Sequence, residues 1–153
     1  MRKAFLLCLF ATTCMLAHAG SCRQVGGSVS TNFLDSTTTF GTITGDLAGA
    51  IGVSVLSVTP NSDGTVTFHV QHHWVTTTGD TINAEPAYLT AFPTSVAGFY
   101  AGSYVHGVVI SGGTGQFKNA TGKTDVWGAV DTNKGEVVLR YAGIVCFGDS
   151  DKD

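Results

Sequence analysis

The chain has 153 residues, of which 43% are hydrophobic and 12% are charged, which suits one domain with a substantial apolar core. Eight basic and eleven acidic residues give a formal net charge of −3 at pH 7. Because no basic cluster stands out, this composition argues against nucleic acid as a partner.

The N-terminal segment has the pattern of a secretory signal peptide, which we predict over residues 1–19. Arg2 and Lys3 precede an uncharged apolar run at residues 4–16, and Ala-His-Ala at residues 17–19 supplies a small-x-small cleavage site. The run is shorter than the roughly 20 apolar residues that span a bilayer, and no second long apolar segment follows. The mature protein is therefore predicted to be secreted or periplasmic, without a membrane span. The alternative is a lipoprotein signal that leaves the protein lipid-anchored through Cys22.

Cleavage after Ala19 would leave two cysteines, Cys22 and Cys146, near the two ends of the mature chain. An even pair in an oxidising compartment favours a disulfide. The alternatives are a lipidated Cys22 or two free buried thiols. A disulfide would place the first and last strands side by side or at one shared rim, with the two Cα atoms less than about 7 Å apart.

Residues 20–148 are predicted to form a single all-β domain, followed by a solvated acidic tail at residues 149–153. The segment is rich in Thr, Val, Gly and aromatic residues, and only residues 46–51 suggest a helical turn. Turn sequences such as Asp63-Gly64 separate the strands. The predicted strands are residues 29–34, 37–44, 50–58, 65–77, 87–92, 98–111, 123–130 and 136–146. Eight short strands joined mostly by hairpins predict a β-barrel or a β-sandwich.

Two predicted strands carry polar groups on otherwise apolar faces. Side chains alternate between the two faces of a strand, so residues two apart lie on one side. On the strand predicted over residues 65–77, the inward face holds Val66, Phe68, Val70, His72, Trp74 and Thr76. On the strand predicted over residues 98–111, the corresponding face holds Tyr100, Gly102, Tyr104, His106, Val108 and Ile110. His72 and His106 are therefore expected to point into the interior.

A glycine-rich segment, GGTGQF at residues 112–117, is followed by ATG at residues 120–122. The pair resembles a turn of the allene oxide cyclase-like barrel superfamily, which includes plant allene oxide cyclases, dirigent proteins and small bacterial secreted proteins. STNF at residues 30–33, QHHW at residues 71–74 and RYAGIVC at residues 140–146 are similar to the bacterial branch. The resemblance implies an eight-stranded antiparallel barrel with a largely apolar interior pocket, and a homotrimer as in the plant members. The glycine-rich segment itself is interpreted as a structural turn, and the resemblance assigns no catalytic residue.

This pattern is best suited to general acid–base catalysis in an apolar interior. The candidate catalytic residues are His72, His106, Tyr104 and Glu85. Glu85 and Asp46 both flank predicted strands, so both are expected at a barrel rim. The predicted pocket walls include Phe68, Trp74 and Tyr100. Each residue also has an ordinary structural interpretation, such as a hydrogen-bonded core histidine or a tyrosine that reaches solvent.

Neither a metal site nor a cofactor is predicted. His69 and His73 share a strand face but lie about 13 Å apart along the strand, and His72 points to the opposite face. A zinc ion lies about 2 Å from each ligating nitrogen, so it could not bridge them. Nor does the sequence contain the Gly-x-Ser-x-Gly pattern of a nucleophile elbow.

These patterns lead to three hypotheses of function. The first is a secreted barrel that binds a small apolar molecule, and the second is an isomerase or cyclase of the allene oxide cyclase type. The third is a non-catalytic structural or surface-interaction protein. A cavity of a few hundred Å³ with converging polar groups would favour the first two, and a filled interior would favour the third.

Overall fold

The structure, a computed structural model, describes residues 21–148, which form a closed antiparallel β-barrel. The predicted signal peptide at residues 1–19 and the acidic tail at residues 149–153 lie outside the described residues. The strands are β1 (Cys22–Phe33), β2 (Thr38–Gly45), β3 (Gly49–Pro60), β4 (Val66–Thr76), β5 (Thr81–Ala84), β6 (Ala87–Pro93), β7 (Phe99–Tyr104), β8 (Val108–Gly113), β9 (Thr121–Asp131) and β10 (Glu136–Cys146).

The ten segments make eight barrel strands, because two of the strands are interrupted. β5 and β6 follow each other along β4, and β8 and β7 follow each other along β9. β5 also pairs with β8, and β6 with β7, so the two interrupted strands lie side by side. The prediction of an eight-stranded antiparallel barrel is confirmed, and the closed sheet excludes the sandwich.

The first and last strands close the barrel. β1 pairs with β10 from Cys22↔Cys146 to Asn32↔Glu136. A disulfide joins the two cysteines, whose Cα atoms are 3.8 Å apart. The predicted disulfide is therefore present, and it links directly opposed residues of neighbouring strands.

The interruptions have local causes. Pro86, between β5 and β6, lacks the N–H that a continuous ladder needs. Between β7 and β8, Gly107 has φ +69, and a Cβ there would overlap the carbonyl oxygen of Thr124. The single strand expected over residues 98–111 is therefore two strands, and residues 81–84, which were not predicted as a strand, form β5.

Two other local predictions need correction. β1 begins at Cys22 rather than at residue 29, because its first half pairs with β10. Residues 46–51, whose composition only suggested a helical turn, do not form one, since residues 46–48 form a tight connection and β3 starts at Gly49. A Cβ at Gly49 would overlap the carbonyl oxygen of Val75 on the neighbouring strand, which explains the glycine at this position.

The two ends of the barrel differ in packing. At one end, here named the closed end, the β2–β3 connection and the segment after β8 bring Leu47 and Phe117 inward, and both are buried. The opposite end, here named the open end, carries the β1–β2, β3–β4, β6–β7 and β9–β10 connections. Within the part of the chain that the structure describes, no helical segment has the length and apolar character needed to cross a bilayer.

Candidate functional site

The barrel encloses a cavity of about 80 Å³. Inward side chains of every strand except β5 contribute to its wall, which is mainly valine, leucine, isoleucine and aromatic carbon. This volume is well below the 300–1,000 Å³ of an ordinary pocket for a drug-sized ligand. The interior is therefore smaller than the few hundred Å³ that would favour binding or catalysis, but it is not a completely filled core.

One polar pair lies in this apolar wall. His72 on β4 and Tyr104 on β7 are both buried, and His72 Nε2 lies 3.0 Å from the Tyr104 hydroxyl oxygen. Their ring centroids are 5.5 Å apart. β6 separates β4 from β7 in the sheet, so the two side chains meet across the inside of the barrel. The inward direction predicted for both residues is what the structure has.

Burial makes both members of the pair resist ionisation. Loss of hydration lowers the pKa of His72 to about 4, and repulsion from neighbouring His73 acts in the same direction. Burial also raises the pKa of Tyr104 above its ordinary value of 10.0. At neutral pH the pair is therefore an uncharged imidazole beside an uncharged phenol.

Beside His72, the Gln71 side chain fills a gap in the backbone pairing of the barrel wall. β4 pairs with β5 and β6 on either side of residues 71–73 but not at them. The Gln71 amide donates to the carbonyl oxygens of Ala84 at 2.9 Å and of His72 at 3.1 Å. This amide supplies hydrogen bonds that the interrupted strand leaves out.

The cavity floor, at the closed end, is held by hydrogen bonds that join four residues, Trp74, Leu47, Tyr141 and Thr44. The Trp74 indole N–H donates to the Leu47 carbonyl at 3.1 Å, and the Leu47 N–H donates to the Tyr141 hydroxyl at 3.0 Å. Tyr141 in turn donates to the Thr44 carbonyl at 2.9 Å. The polar atoms of the floor are thus engaged with one another and with the backbone. Sequence reasoning missed Leu47 and Tyr141, although the alternation of Leu139, Tyr141 and Val145 in the last strand could have indicated an inward tyrosine.

The glycine-rich segment builds the structure beneath this floor. Thr114 exchanges hydrogen bonds with Thr81, accepting from its N–H at 2.8 Å and donating its own N–H to the Thr81 carbonyl at 3.1 Å. Phe117 is then buried at the closed end, 5.4 Å from the Phe147 ring between centroids. The segment places an apolar plug, and it contributes no side chain to the cavity wall.

The mouth of the cavity lies at the open end. Phe33, Val55 and Phe68 line the cavity, are only partly buried, and belong to strand segments at this end. Val58, which pairs with Phe68, is 50% exposed and extends this apolar surface outward. A molecule that reaches the interior from this end meets hydrocarbon first and the His72–Tyr104 pair deeper.

The other sequence-predicted site residues are placed as follows. Phe68 and Trp74 line the cavity, whereas Tyr100 packs against the core without lining the cavity. The inward position expected for His106 is wrong, because the turn that ends at Gly107 interrupts the alternation and leaves His106 exposed. Glu85 is exposed at the β5–β6 interruption, midway along the barrel wall rather than at a rim.

Asp46 is exposed in the β2–β3 connection at the closed end, where its Oδ2 accepts from the Gly26 N–H at 2.8 Å. It therefore lies at a rim, as expected, but at the end opposite the cavity mouth. Among residues 21–148, no three His, Cys, Asp or Glu side chains come close enough together to hold a metal ion.

Comparisons with known proteins assign neither a family nor a function to this chain. No protein-family model matches the chain, and no curated protein matches it. Among solved structures, a pterocarpan synthase dirigent protein is similar over 96% of this chain and 100% of that chain, with 14% sequence identity and a TM-score of 0.36. At this identity and TM-score the likeness carries no argument about function, so the barrel assignment rests on the strand pairing described above. The resemblance to the bacterial branch of the superfamily stays a prediction.

Proposed function

We propose that this chain is an exported barrel protein that binds a small, slender apolar molecule in its interior. The observation that carries the proposal is the cavity itself, which has an apolar wall, a closed floor and a hydrocarbon-lined mouth. Burial of each methylene group is worth about 0.8 kcal/mol, so even a narrow cavity supplies a driving force for an aliphatic chain. Because the volume is small, the ligand is slender or inserts only one end.

Binding suits the interior better than isomerase or cyclase chemistry. A general base works best with a pKa near the operating pH, but the pKa of His72 is about 4. The raised pKa of Tyr104 makes it a poor proton donor, and no carboxylate lines the cavity. An enzymatic role would therefore have to rely on positioning a substrate, and we rank it second.

Export is part of the proposal. It is supported by the signal-peptide pattern of residues 1–19 and by the Cys22–Cys146 disulfide, since disulfides persist mainly in oxidising compartments. Cell fractionation of the full-length chain tests it, with recovery outside the cytoplasm as the expected result. Retention in the cytoplasm, with reduced cysteines, would refute it.

Interior binding can be measured by the fluorescence emission of Trp74, which lies at the floor of the cavity. The chain has two tryptophans, and Trp127 faces outward, so a Trp127→Phe variant leaves Trp74 as the single reporter. Titration with n-hexane should give a saturable change in Trp74 emission. Val126→Phe, which fills the cavity wall, should abolish the change, whereas the outward Val138→Phe should keep it. An unchanged emission in the Trp127→Phe protein, or an equal response in the Val126→Phe variant, would contradict interior binding.

A surface-interaction role is supported by a different observation. One row of residues crosses four neighbouring strands, and each residue in it pairs with the next: Phe92 on β6, Ala101 on β7, Ala129 on β9 and Val138 on β10. Phe92 and Val138 are 46% and 53% exposed, so the outer sheet face carries an uncharged row. If this face holds copies of the chain together, light scattering should give a mass above that of one chain for the wild type and a lower mass for Phe92→Glu. A monomeric wild type would remove this candidate.

A further inference from the structure

The two most exposed large hydrophobic side chains among the described residues lie in connections at the open end of the barrel. Leu34 follows β1 and is 66% exposed, and Val96 lies between β6 and β7 and is 61% exposed. The connections at the closed end are residues 46–48, 77–80 and 114–120. Every exposed residue in those three segments is polar or glycine, whereas Leu47 and Phe117 are buried. Exposed hydrocarbon in the end loops is therefore a property of the open end alone.

Leu34 and Val96 stand on opposite sides of the cavity mouth. Around the closed barrel, β3 and β4 separate the β1–β2 hairpin from the β6–β7 hairpin on one side, and β9 and β10 separate them on the other. The partly buried Phe33 and Phe68 line the mouth between the two hairpins. A surface that touches both exposed side chains would therefore cover the mouth.

Hydrogen bonds within the two hairpins satisfy backbone groups beside the exposed side chains. The Thr94 hydroxyl accepts from the Val96 N–H at 3.1 Å and donates to the Phe99 carbonyl at 2.7 Å. The Phe99 N–H in turn donates to the Val96 carbonyl at 3.1 Å. In the other hairpin, the Leu34 N–H donates to the Thr38 carbonyl at 2.9 Å. Since an unsatisfied backbone group is costly to place in hydrocarbon, this bonding lowers the cost of moving either hairpin into an apolar phase.

The charges around the mouth distinguish between kinds of apolar surface. The open-end connections and the adjoining strand ends carry four carboxylates and one lysine, namely Asp35, Asp63, Asp131, Glu136 and Lys134. This excess of negative charge repels an anionic surface, whereas a zwitterionic lipid headgroup presents a positive ammonium group to it. The open end therefore suits zwitterionic lipid better than anionic lipid.

A lipid surface also fits the two exposed side chains better than a protein partner does. Leu34 and Val96 project from opposite hairpins, and the open mouth lies between them. A specific protein interface needs a continuous, closely packed surface, whereas lipid headgroups rearrange around separate protrusions. Apolar side chains that enter the boundary between headgroups and acyl chains are held there by the burial of their surface.

We propose that the open end of the barrel docks on a zwitterionic lipid surface, with Leu34 and Val96 inserted at the level of the headgroups and the cavity mouth facing the lipid. The docking depends only on the two hairpins and goes beyond the proposed function. Its use rests on interior binding, because an apolar molecule dissolves in lipid rather than in water. A docked mouth would receive such a molecule directly from the lipid.

Flotation with phosphatidylcholine vesicles tests the docking. The protein is the chain from residue 20 onward, which keeps every described strand, because the apolar run at residues 4–16 would itself bind lipid. We expect the wild type to float with the vesicles. Leu34→Ser/Val96→Ser should lower the partition coefficient by roughly tenfold or more, because two hydrocarbon side chains lose their burial. Ile144→Ser, at a 52% exposed residue near the closed end, should leave it within about twofold.

A second readout uses the unmutated side chains, in small phosphatidylcholine bicelles that contain a nitroxide-labelled lipid. The ¹³C-labelled methyl signals of Leu34 and Val96 should broaden, while those of Ile144 should stay sharp. Replacing part of the phosphatidylcholine with phosphatidylglycerol should weaken binding to the vesicles. Val126→Phe, which fills the cavity wall, should float like the wild type. A failure of n-hexane to bind would then remove interior binding and leave the docking in place.

Three results would each overturn the proposal: a wild type that does not float, a double variant that floats like the wild type, or binding that increases with the phosphatidylglycerol content. Unbroadened Leu34 and Val96 signals, together with a lower mass of the double variant by light scattering, would assign the two side chains to a contact between copies of the chain and would also overturn it.

Discussion

For His72, the sequence pattern predicts the direction of the side chain but not its surroundings. Its position in an alternating strand places it on the same face as Val70 and Trp74, and the structure confirms that inward direction. Alternation cannot say what an inward imidazole meets, because its partner Tyr104 comes from a strand that is not adjacent. Only the closed barrel brings the two together.

The buried neutral imidazole should make the barrel less stable in mild acid. The unfolded chain binds a proton at His72 near the ordinary pKa of 6.5, while the folded state resists protonation until about pH 4. Stability is therefore greatest above pH 6.5 and falls as the pH drops toward 4, by roughly 3 kcal/mol in total. Urea unfolding across this range measures the loss.

His72→Gln should remove most of this pH dependence, whereas His73→Gln, at an exposed position, should keep it. The carboxyls of Asp35 and Asp63 have pKa values lowered by hydrogen bonds from Thr37 and Thr65, so they titrate below this window. A wild-type free energy of unfolding that stays flat between pH 7 and pH 4 would contradict the burial of a neutral His72.

At the scale of elements, the pattern of the sequence predicted long strands better than their interruptions. β3, β4, β9 and β10 overlap the predicted strands closely. The β7–β8 break was missed because residues 98–111 keep a β-like composition, and Gly107 is needed only where the chain approaches the carbonyl of Thr124. β5 was missed because four residues before a proline give too short a pattern. The misplacement of His106 follows from the same break.

The two glycines Gly107 and Gly79 offer a matched test of this interruption. Both have positive φ, +69 and +87, but a Cβ at Gly107 would overlap Thr124 whereas one at Gly79 would meet no atom within 4 Å. Gly79→Ala should therefore cost only the backbone strain, about 1 kcal/mol. Gly107→Ala should add overpacking, for a total of roughly 3 kcal/mol.

Thermal or urea unfolding of the two glycine variants gives the comparison directly. An equal loss of stability in the two variants would contradict this account, because it would mean that the β7–β8 turn does not press against β9.

At the scale of the whole molecule, the disulfide could be predicted from the sequence, but the volume of the cavity could not. The pairing of Cys22 with Cys146 follows from the positions of the two residues and was predicted. The cavity volume depends on how closely some twenty inward side chains pack, which alternation does not determine. The resemblance implied an apolar pocket but not its size, and the cavity of the barrel has a volume of about 80 Å³.

The disulfide should contribute stability without being required for the fold. It closes a segment with a sequence separation of 124, for which the chain-entropy relation gives about 4–5 kcal/mol. β1 and β10 also pair along their length, so the Cys22→Ser/Cys146→Ser protein should keep its β-sheet circular dichroism at 20 °C and unfold at lower urea. Reduced wild type should match this variant, and loss of sheet structure in both would show that closure depends on the bridge.

The most direct test of the central claim is to locate a bound apolar molecule by nuclear Overhauser effects between unlabelled n-hexane and ¹³C-labelled methyl groups of the protein. The interior-binding account predicts contacts to Val53, Val70 and Leu139, which line the cavity. Contacts confined to exposed side chains such as Leu34 and Val96, or no contacts at all, would contradict it.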